Sequence, residues 1–516
     1  MAVDASTTVD TGPRPARTGG VAAVLAVALA STTLPMAVTA PAVALGAMST
    51  DLGASPGAAM WVLNAYNVTF AACMLATGSL ADLFGRRRVL VIGIQLFGLM
   101  SLLSAVVDNI VLIDILRGVQ GIGAAGILTS GAAVLASTFS GAARAKAFGV
   151  LGASVGFGLA LGPLTAGLLV EAGGWRSVFW LNVVIVVVAL LFARHIPESS
   201  DPDAKRVDWA GLVTFSSSLF LLTLAFVAGP TYGWSSVQTL SSVVGSVLFL
   251  GLFVVAERRQ SRPMFDLSLF RRPTFVAVVC QPFTITFGFV VLLVYLPLYF
   301  QGAGGLGSAA SGAPLLPLTV PVLLIPLLAG GIAARVPLRI MLGTSSLLIA
   351  GGSLWLVVLQ SDAGWTQLVG PLLLFGIGVG SAFGVMDNAA VSVVPRERAG
   401  MASGIFNTMR ITGEGLAIAG AASLLATLTA ASLGSRLPDA GSGAMSAAGE
   451  IVQGHLPAAV GALGPSASSA ADKAAALTGA LTSAMHTAFI VLAVLALLGS
   501  VATFTVIRDR DLNPQR

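Results

Sequence analysis

Charge is scarce in this chain. Of its 516 residues, 27 are basic and 22 acidic, 9% in all, where a soluble protein of that length carries roughly 130 such side chains. Apolar residues make up 56% and mean hydropathy is +0.92, so too little polar material remains to coat several soluble domains. Lipid is left as the solvent. Cysteine is rare too: Cys73 and Cys280 both sit in apolar stretches, which excludes a disulfide framework and a Cys-based metal spacing. The three histidines, His195, His455 and His486, are too scattered for a metal centre, so no metal and no cofactor is expected. A Gly-x-x-x-x-Gly-Lys-Ser/Thr phosphate loop is missing, as is a nucleophile with an adjoining base, which argues against an ATP-driven pump and against an enzyme. Glycine (60) and proline (24) are plentiful but follow no period, which excludes collagen-like and disordered classes.

Long apolar runs fill the chain. They lie near residues 21–48, 57–80, 88–107, 110–138, 146–170, 177–194, 209–229, 236–256, 274–300, 311–334, 338–359, 366–394, 401–431 and 479–507. A spanning helix takes about 20 apolar residues, so the expected fold class is an all-α polytopic membrane protein with fourteen spans. The first run follows Arg14 and Arg17 as a signal peptide would, but its length and the many runs after it read as a retained span. Basic residues set the orientation. With a cytoplasmic N-terminus, 22 of the 27 fall in cytoplasmic loops or tails; Arg176, Arg436 and Lys473 lie outside, and Arg117 and Arg410 lie within spans. The positive-inside rule then puts both termini in the cytoplasm. The same asymmetry explains the net charge of +5 without a nucleic-acid partner. Between spans 13 and 14 runs an Ala- and Gly-rich outer loop, 432–477, expected to be a mobile surface segment with at most one short helix.

Two loops carry related motifs. After span 2 comes Gly78-Ser-Leu-Ala-Asp82-Leu-Phe-Gly85-Arg86-Arg87-Arg88; after span 10, Ala329-Gly330-Gly-Ile-Ala-Ala-Arg335-Val-Pro-Leu-Arg339 is a degraded echo. Matching loops imply an internal repeat of six spans per half, with two extra spans between the halves, and their glycines let helices approach closely. Asp82 opposes the dipole of its own helix and should seek an arginine or another helix's N-terminus. The expected organisation is a tail (1–19), a six-helix bundle (20–200), a linker with two extra spans (201–260), a second six-helix bundle (261–507) and a tail (508–516).

These motifs resemble the major facilitator superfamily, in particular its fourteen-helix drug:proton antiporter branch. The first loop is similar to that family's cytoplasmic latch, with Gly78, Asp82, Gly85, Arg86 and Arg87 at the matching positions. Span 4 contains Arg117-Gly-Val-Gln120-Gly121, similar to an Arg-x-x-Gln-Gly pattern whose arginine the resemblance implies helps to move protons. Span 5 reads Gly158-Leu-Ala-Leu-Gly162-Pro163-Leu-Thr-Ala-Gly167, which looks like the antiporter motif, its proline implying a kink. Pro263-Met-Phe-Asp266, Tyr295-Leu-Pro297-Leu-Tyr299 and Ala399-Gly400-Met401 extend the match, which covers residues 20 to 507. One position departs. Members of the branch usually carry an acid in the middle of span 1, where this chain has Ala37, so coupling to protons must use other groups.

Charge at mid-bilayer costs several kcal/mol, so each ionisable residue left in a span needs a reason. Asp114 and Arg117 are three apart on one face of span 4 and are expected to pair. Arg410 and Glu414 are four apart on span 13, and Asp387 of span 12 reaches nearly the depth of Arg410. A carboxylate taken out of water holds its proton more tightly, and a neighbouring guanidinium opposes that. Two acids sharing one arginine can thus exchange a proton for a cationic substrate. Glu414, Asp387, Arg410, Arg117 and Asp114 are the candidate coupling residues; the alternative is a static ion network. Asn64, Asn67, Gln120, Gln281 and Asn388 are amides within spans, with Trp61 one turn from Asn64. They suit a cavity for an amphipathic molecule, or serve as hydrogen bonds between helices.

The combined expectation is a monomeric secondary transporter in a bacterial inner membrane, exporting a hydrophobic or cationic drug or antibiotic as protons enter. High arginine with only three lysines suggests a high-GC bacterium. Export of an endogenous metabolite (amino acid, siderophore or self-made antibiotic) in the same fold is the first alternative. A non-transporting sensor or scaffold is the second.

Overall fold

The computed structural model describes residues 17–54, 56–200, 208–259, 267–306, 310–333, 335–360, 364–395, 398–437, 443–464, 469–508 and 511. Arg14, Lys205, Arg206, Arg262, Pro263, Asp266, Arg396, Arg510 and Arg516 lie outside them. In chain order come α1 (Arg17–Leu52), α2 (Pro56–Phe84), α3 (Arg86–Val106), α4 (Ile110–Thr138), α5 (Gly141–Gly173) and α6 (Arg176–Ala193). Next are α7 (Trp209–Tyr232), α8 (Val237–Arg259), α9 (Pro273–Gly302), α10 (Leu316–Ile332), α11 (Leu338–Trp355), α12 (Val369–Phe383) and α13 (Met386–Ser392). The last are α14 (Ala399–Arg436), α15 (Ala444–Val452), α16 (Leu456–Ala462) and α17 (Ala470–Val506). Among the described residues fourteen helical segments are long and apolar enough to cross a membrane, α12 and α13 together forming the twelfth. Helices are the form in which an isolated segment satisfies its own backbone in lipid.

Residue size, more than polarity, decides which face turns inward, because lipid is as apolar as any core. Gly123 of α4 lies against α3 so closely that a Cβ there would come within 2.8 Å of the Phe97 backbone nitrogen and 2.9 Å of the Gly93 carbonyl. Gly121 faces α2 in the same way, against the Tyr66 carbonyl and Thr69. Branched residues such as Leu164, Leu168, Val247 and Leu248 are left on the outside. α1–α6 form one bundle, and α9–α14 with α17 form the other. The extra pair α7–α8 belongs to neither: its helices pack on each other, and α7 also touches α2 and α14. Ser218 ties the pair together by donating to the Ser246 carbonyl at 2.9 Å.

The segment after α14 departs from expectation. Far from being a largely mobile loop, residues 443–464 form two helices, α14 runs on to Arg436, and α17 begins at Ala470 under a Ser469–Asp472 capping box. Ala447, Ala448, Ile451 and Val452 of α15 are buried, in contact with α14, α17 and α9. Alanine is the best helix former, and these four positions make a one-sided stripe; reading the composition as loop overlooked both.

Candidate transport site

A cavity of about 1290 Å³ lies between the two bundles. Pro35 of α1, Trp61, Asn64 and Asn67 of α2, and Arg410 and Glu414 of α14 are on its wall, and most of the remainder is aliphatic or aromatic. The cavity reaches the end of the molecule opposite the arginine-rich loops, where Trp61 and Gln453 stand at its mouth.

Arg410 stands between two acids. Its Nη1 is 3.8 Å from Asp387 Oδ2 and its Nε is 3.9 Å from Glu414 Oε1. The Arg410 and Asp387 side chains are 6% and 7% exposed, whereas Glu414, on the cavity wall, is 29% exposed. Both separations exceed hydrogen-bond reach, so these are loose ion pairs with room for a proton or another cation to alter them. Asp387 owes its place to a break in span 12: the chain turns at Gly384 and Val385, and Asp387 falls in the first turn of α13, where a carboxylate is favoured by the helix dipole.

The expected Asp114–Arg117 pair does not form. Arg117 is fully buried and donates from Nε to the Val62 carbonyl (2.8 Å), from Nη2 to the Ala37 carbonyl (2.6 Å) and from Nη1 to Gln120 Oε1 (2.5 Å). Its guanidinium also lies 4.4 Å from the centre of the Tyr66 ring. Asp114, half-buried one turn nearer the mouth, has an Oδ1 with no hydrogen-bond partner. The fork geometry of arginine explains the outcome: three acceptors held by α1, α2 and α4 match it better than one flexible carboxylate. Arg117 meets span 1 at Ala37, through the backbone rather than through an acid.

At the arginine-rich end the bundles touch. Gly78 faces the Gly400 carbonyl so closely that any side chain there would collide with it. Asp82 finds both partners that its position called for. Its oxygens accept from the N–H groups of Gly400 (3.2 Å) and Met401 (2.9 Å) at the start of α14. Arg86 donates to it from Nε (3.1 Å) and Nη2 (2.9 Å). Gly85 has φ of +109°, and a Cβ on it would press within 2.7 Å of the Glu198 carboxylate. That carboxylate caps α3 by accepting from the N–H groups of Arg87 (3.0 Å) and Arg88 (3.1 Å), and the Arg87 guanidinium donates to the Arg194 carbonyl at 2.9 Å. Across the molecule a second contact closes the same end. Gly149 of α5 meets Gly330 and the Pro326 carbonyl of α10, Gly152 meets the Phe383 carbonyl, and Arg144 donates to Ser392 Oγ at 2.8 Å. In the echo loop, Gly330 is thus a contact while Arg335 is exposed.

The remaining candidates separate. Gly158 and Gly162 of α5 pack against Thr32, Pro35 and Thr39 of α1, Pro163 sits within a helix that continues to Gly173, and a Cβ on Gly167 would meet open space. Asn64 and Asn67 line the cavity; Gln120, Gln281 and Asn388 do not. Gln120 donates to Ser101 at 2.6 Å. Gln281 donates to Ser346 at 3.0 Å and accepts from Thr503 at 2.8 Å, which ties α9 to α11 and α17. Asn388 is buried in α13. Sequence reasoning missed Glu198, Gly149 and Arg144, and also the contributions of α7, α8 and α15 to the cavity wall. An acid just after the apolar run of α6 and glycines in α5 at 149, 152 and 156 were the available signals.

Two helical bundles around a central cavity, in contact through glycines at one end, define a membrane transporter rather than an enzyme. The chain belongs to the Major Facilitator Superfamily, whose sequence pattern matches residues 25–418. It is 33% identical over 378 residues to Multidrug resistance protein Stp of Mycobacterium tuberculosis, covering 72% of this chain and 70% of that one. It is 31% identical over 464 residues to Puromycin resistance protein pur8 of Streptomyces alboniger, covering 88% and 90%. The solved structure of the proton:xylose symporter XylE matches with a TM-score of 0.59 at 13% identity, over 96% of this chain and 97% of that one, a likeness of fold alone.

Proposed function

We propose that this transporter exports a hydrophobic or cationic drug or antibiotic in exchange for protons. It works in a bacterial plasma membrane as a monomer, with both termini and the arginine-rich end in the cytoplasm. The observation that carries this reading is Glu414 on the wall of a largely apolar cavity, one guanidinium away from buried Asp387. A cation entering the cavity competes with a proton for Glu414, while Arg410 turns toward whichever acid is ionised; one site then serves two occupants in alternation. Arg117 and Asp114, off the cavity wall on α4, serve as accessory groups. In this orientation the structure has its cavity open to the outside and its latch closed; residues 20–200 and 261–507 rock as units to expose the cavity to the cytoplasm. The resistance named in the two relatives supports a drug as cargo.

Proteoliposomes with an imposed pH gradient test the reading, with ethidium and puromycin as probes. Uptake into inside-out vesicles should follow the gradient and collapse when a protonophore removes it. Uptake indifferent to the gradient would overturn proton exchange. A deletion strain with unchanged drug sensitivity would overturn drug export and favour an endogenous metabolite.

A further inference from the structure

Phe226, Trp234, Ala419 and Ser423 border two spaces at once. On one side they wall the central cavity. On the other they edge a groove of about 550 Å³ that continues along Leu416, Gly420, Leu424 and Thr427 of α14. Leu416, Gly420 and Thr427 are exposed on a membrane-spanning helix, so the groove opens on lipid. The partition between the spaces is aromatic. Phe226 on α7 and Trp234 in the turn before α8 pack edge to face, with ring centroids 6.4 Å apart and planes at 70°. The Trp234 indole is 43% exposed and lies over Gly229, where a Cβ would come within 2.7 Å of the ring. Since α7 and α8 belong to neither bundle, this partition can shift while the Asp82 latch stays closed.

We propose that Phe226 and Trp234 gate a lateral portal joining the cavity to the outer leaflet, through which an amphipathic substrate leaves directly into lipid. The identity of the cargo rests on the function proposed above; the portal rests on the shared wall alone. An apolar groove continuous with an apolar cavity spares such a molecule the transfer of its hydrocarbon surface into water. An indole at the outer end of the portal suits the interface, where a ring with one polar edge is favoured.

A test uses the full chain in liposomes with both free cysteines replaced (Cys73→Ser, Cys280→Ser). A single thiol is then placed by Ala422→Cys on the cavity wall, outside the groove. Labelling by bilayer-dissolved N-pyrenylmaleimide is compared with labelling by the water-soluble, charged reagent MTSET. Trp234→Ala should speed the lipid-phase reaction by about threefold or more, and Ser423→Trp, which fills the groove, should slow it by as much, with the aqueous rate unchanged in both. Equal lipid-phase rates in all three proteins would overturn the portal, as would parallel changes in the aqueous rate, which would mean that these residues shape the watery mouth. Ethidium efflux in the same liposomes is read separately: if it is absent throughout while labelling behaves as described, the export reading fails and the portal stands.

Discussion

The five ionisable side chains in the spans are held differently. Each nitrogen of Arg117 has a partner, Asp114 keeps an oxygen without one, and Glu414 and Asp387 are held loosely around Arg410. The difference predicts different mutant behaviour. Glu414→Gln should lower gradient-driven uptake by about tenfold or more while the protein stays folded, since only a partly exposed carboxylate is changed; rates in proteoliposomes with circular dichroism as the folding control check this. The pH response has a definite sign. A cationic substrate binds the ionised carboxylate, so binding should tighten as pH rises through the range in which Glu414 loses its proton. In Glu414→Gln that dependence should flatten, as titration of ethidium binding over pH would record. Arg117→Lys should act differently: an ammonium cannot meet three acceptors held in a planar fork. Loss of one or two charge-assisted hydrogen bonds should cost about 2–3 kcal/mol, seen as a lower melting temperature in detergent.

At the scale of elements, glycines and caps hold the arginine-rich end shut. Asp82→Asn keeps an acceptor for α14 but loses the charge that serves both its N-terminus and Arg86, a loss of about 1–2 kcal/mol. The closed end should open more often, so thiols placed there should react faster with water-soluble reagents. Gly78→Val meets the Gly400 carbonyl directly; transport should stop while helix content is unchanged. The contrast between α15 and α5 shows what is readable in an element. Spans were legible because about 20 apolar residues have one use in lipid. In α5 the motif glycines Gly158 and Gly162 have partners on α1, but Gly149 and Gly152, outside any motif, make the contacts to the other bundle. Periodicity places a glycine on a helix and says nothing of which neighbour needs its missing side chain.

For the whole molecule, the cavity is assembled from parts with separate histories in the chain. α2 and α14 supply its asparagines and its charged pair, α7 and α8 supply one side with Thr223, Gln238 and Ser242, and Gly449 and Val452 of α15 with Gln453 just after it hang over the mouth. Replacing 443–464 by a flexible linker should leave the bundles folded and make Asn67→Cys react faster with MTSET, because the mouth loses its cover. If the rate is unchanged, α15 does not restrict access.

What the sequence by itself determined is what lipid enforces through the need for a self-satisfied backbone: fourteen spans, a repeat with an intervening pair, the loops that carry positive charge, and Asp82 as a residue in need of a partner. Each follows from composition, from spacing along one segment, or from the likeness of two loops. The tertiary structure decided which polar side chains share a space. Arg117 left Asp114 for two carbonyls and an amide, Gln281 became a tie between helices, and Asn64 and Asn67 faced the cavity, because partners on other helices set the distances. The scarcity of charge confined the mechanism to few residues; packing alone assigned each of them its neighbour.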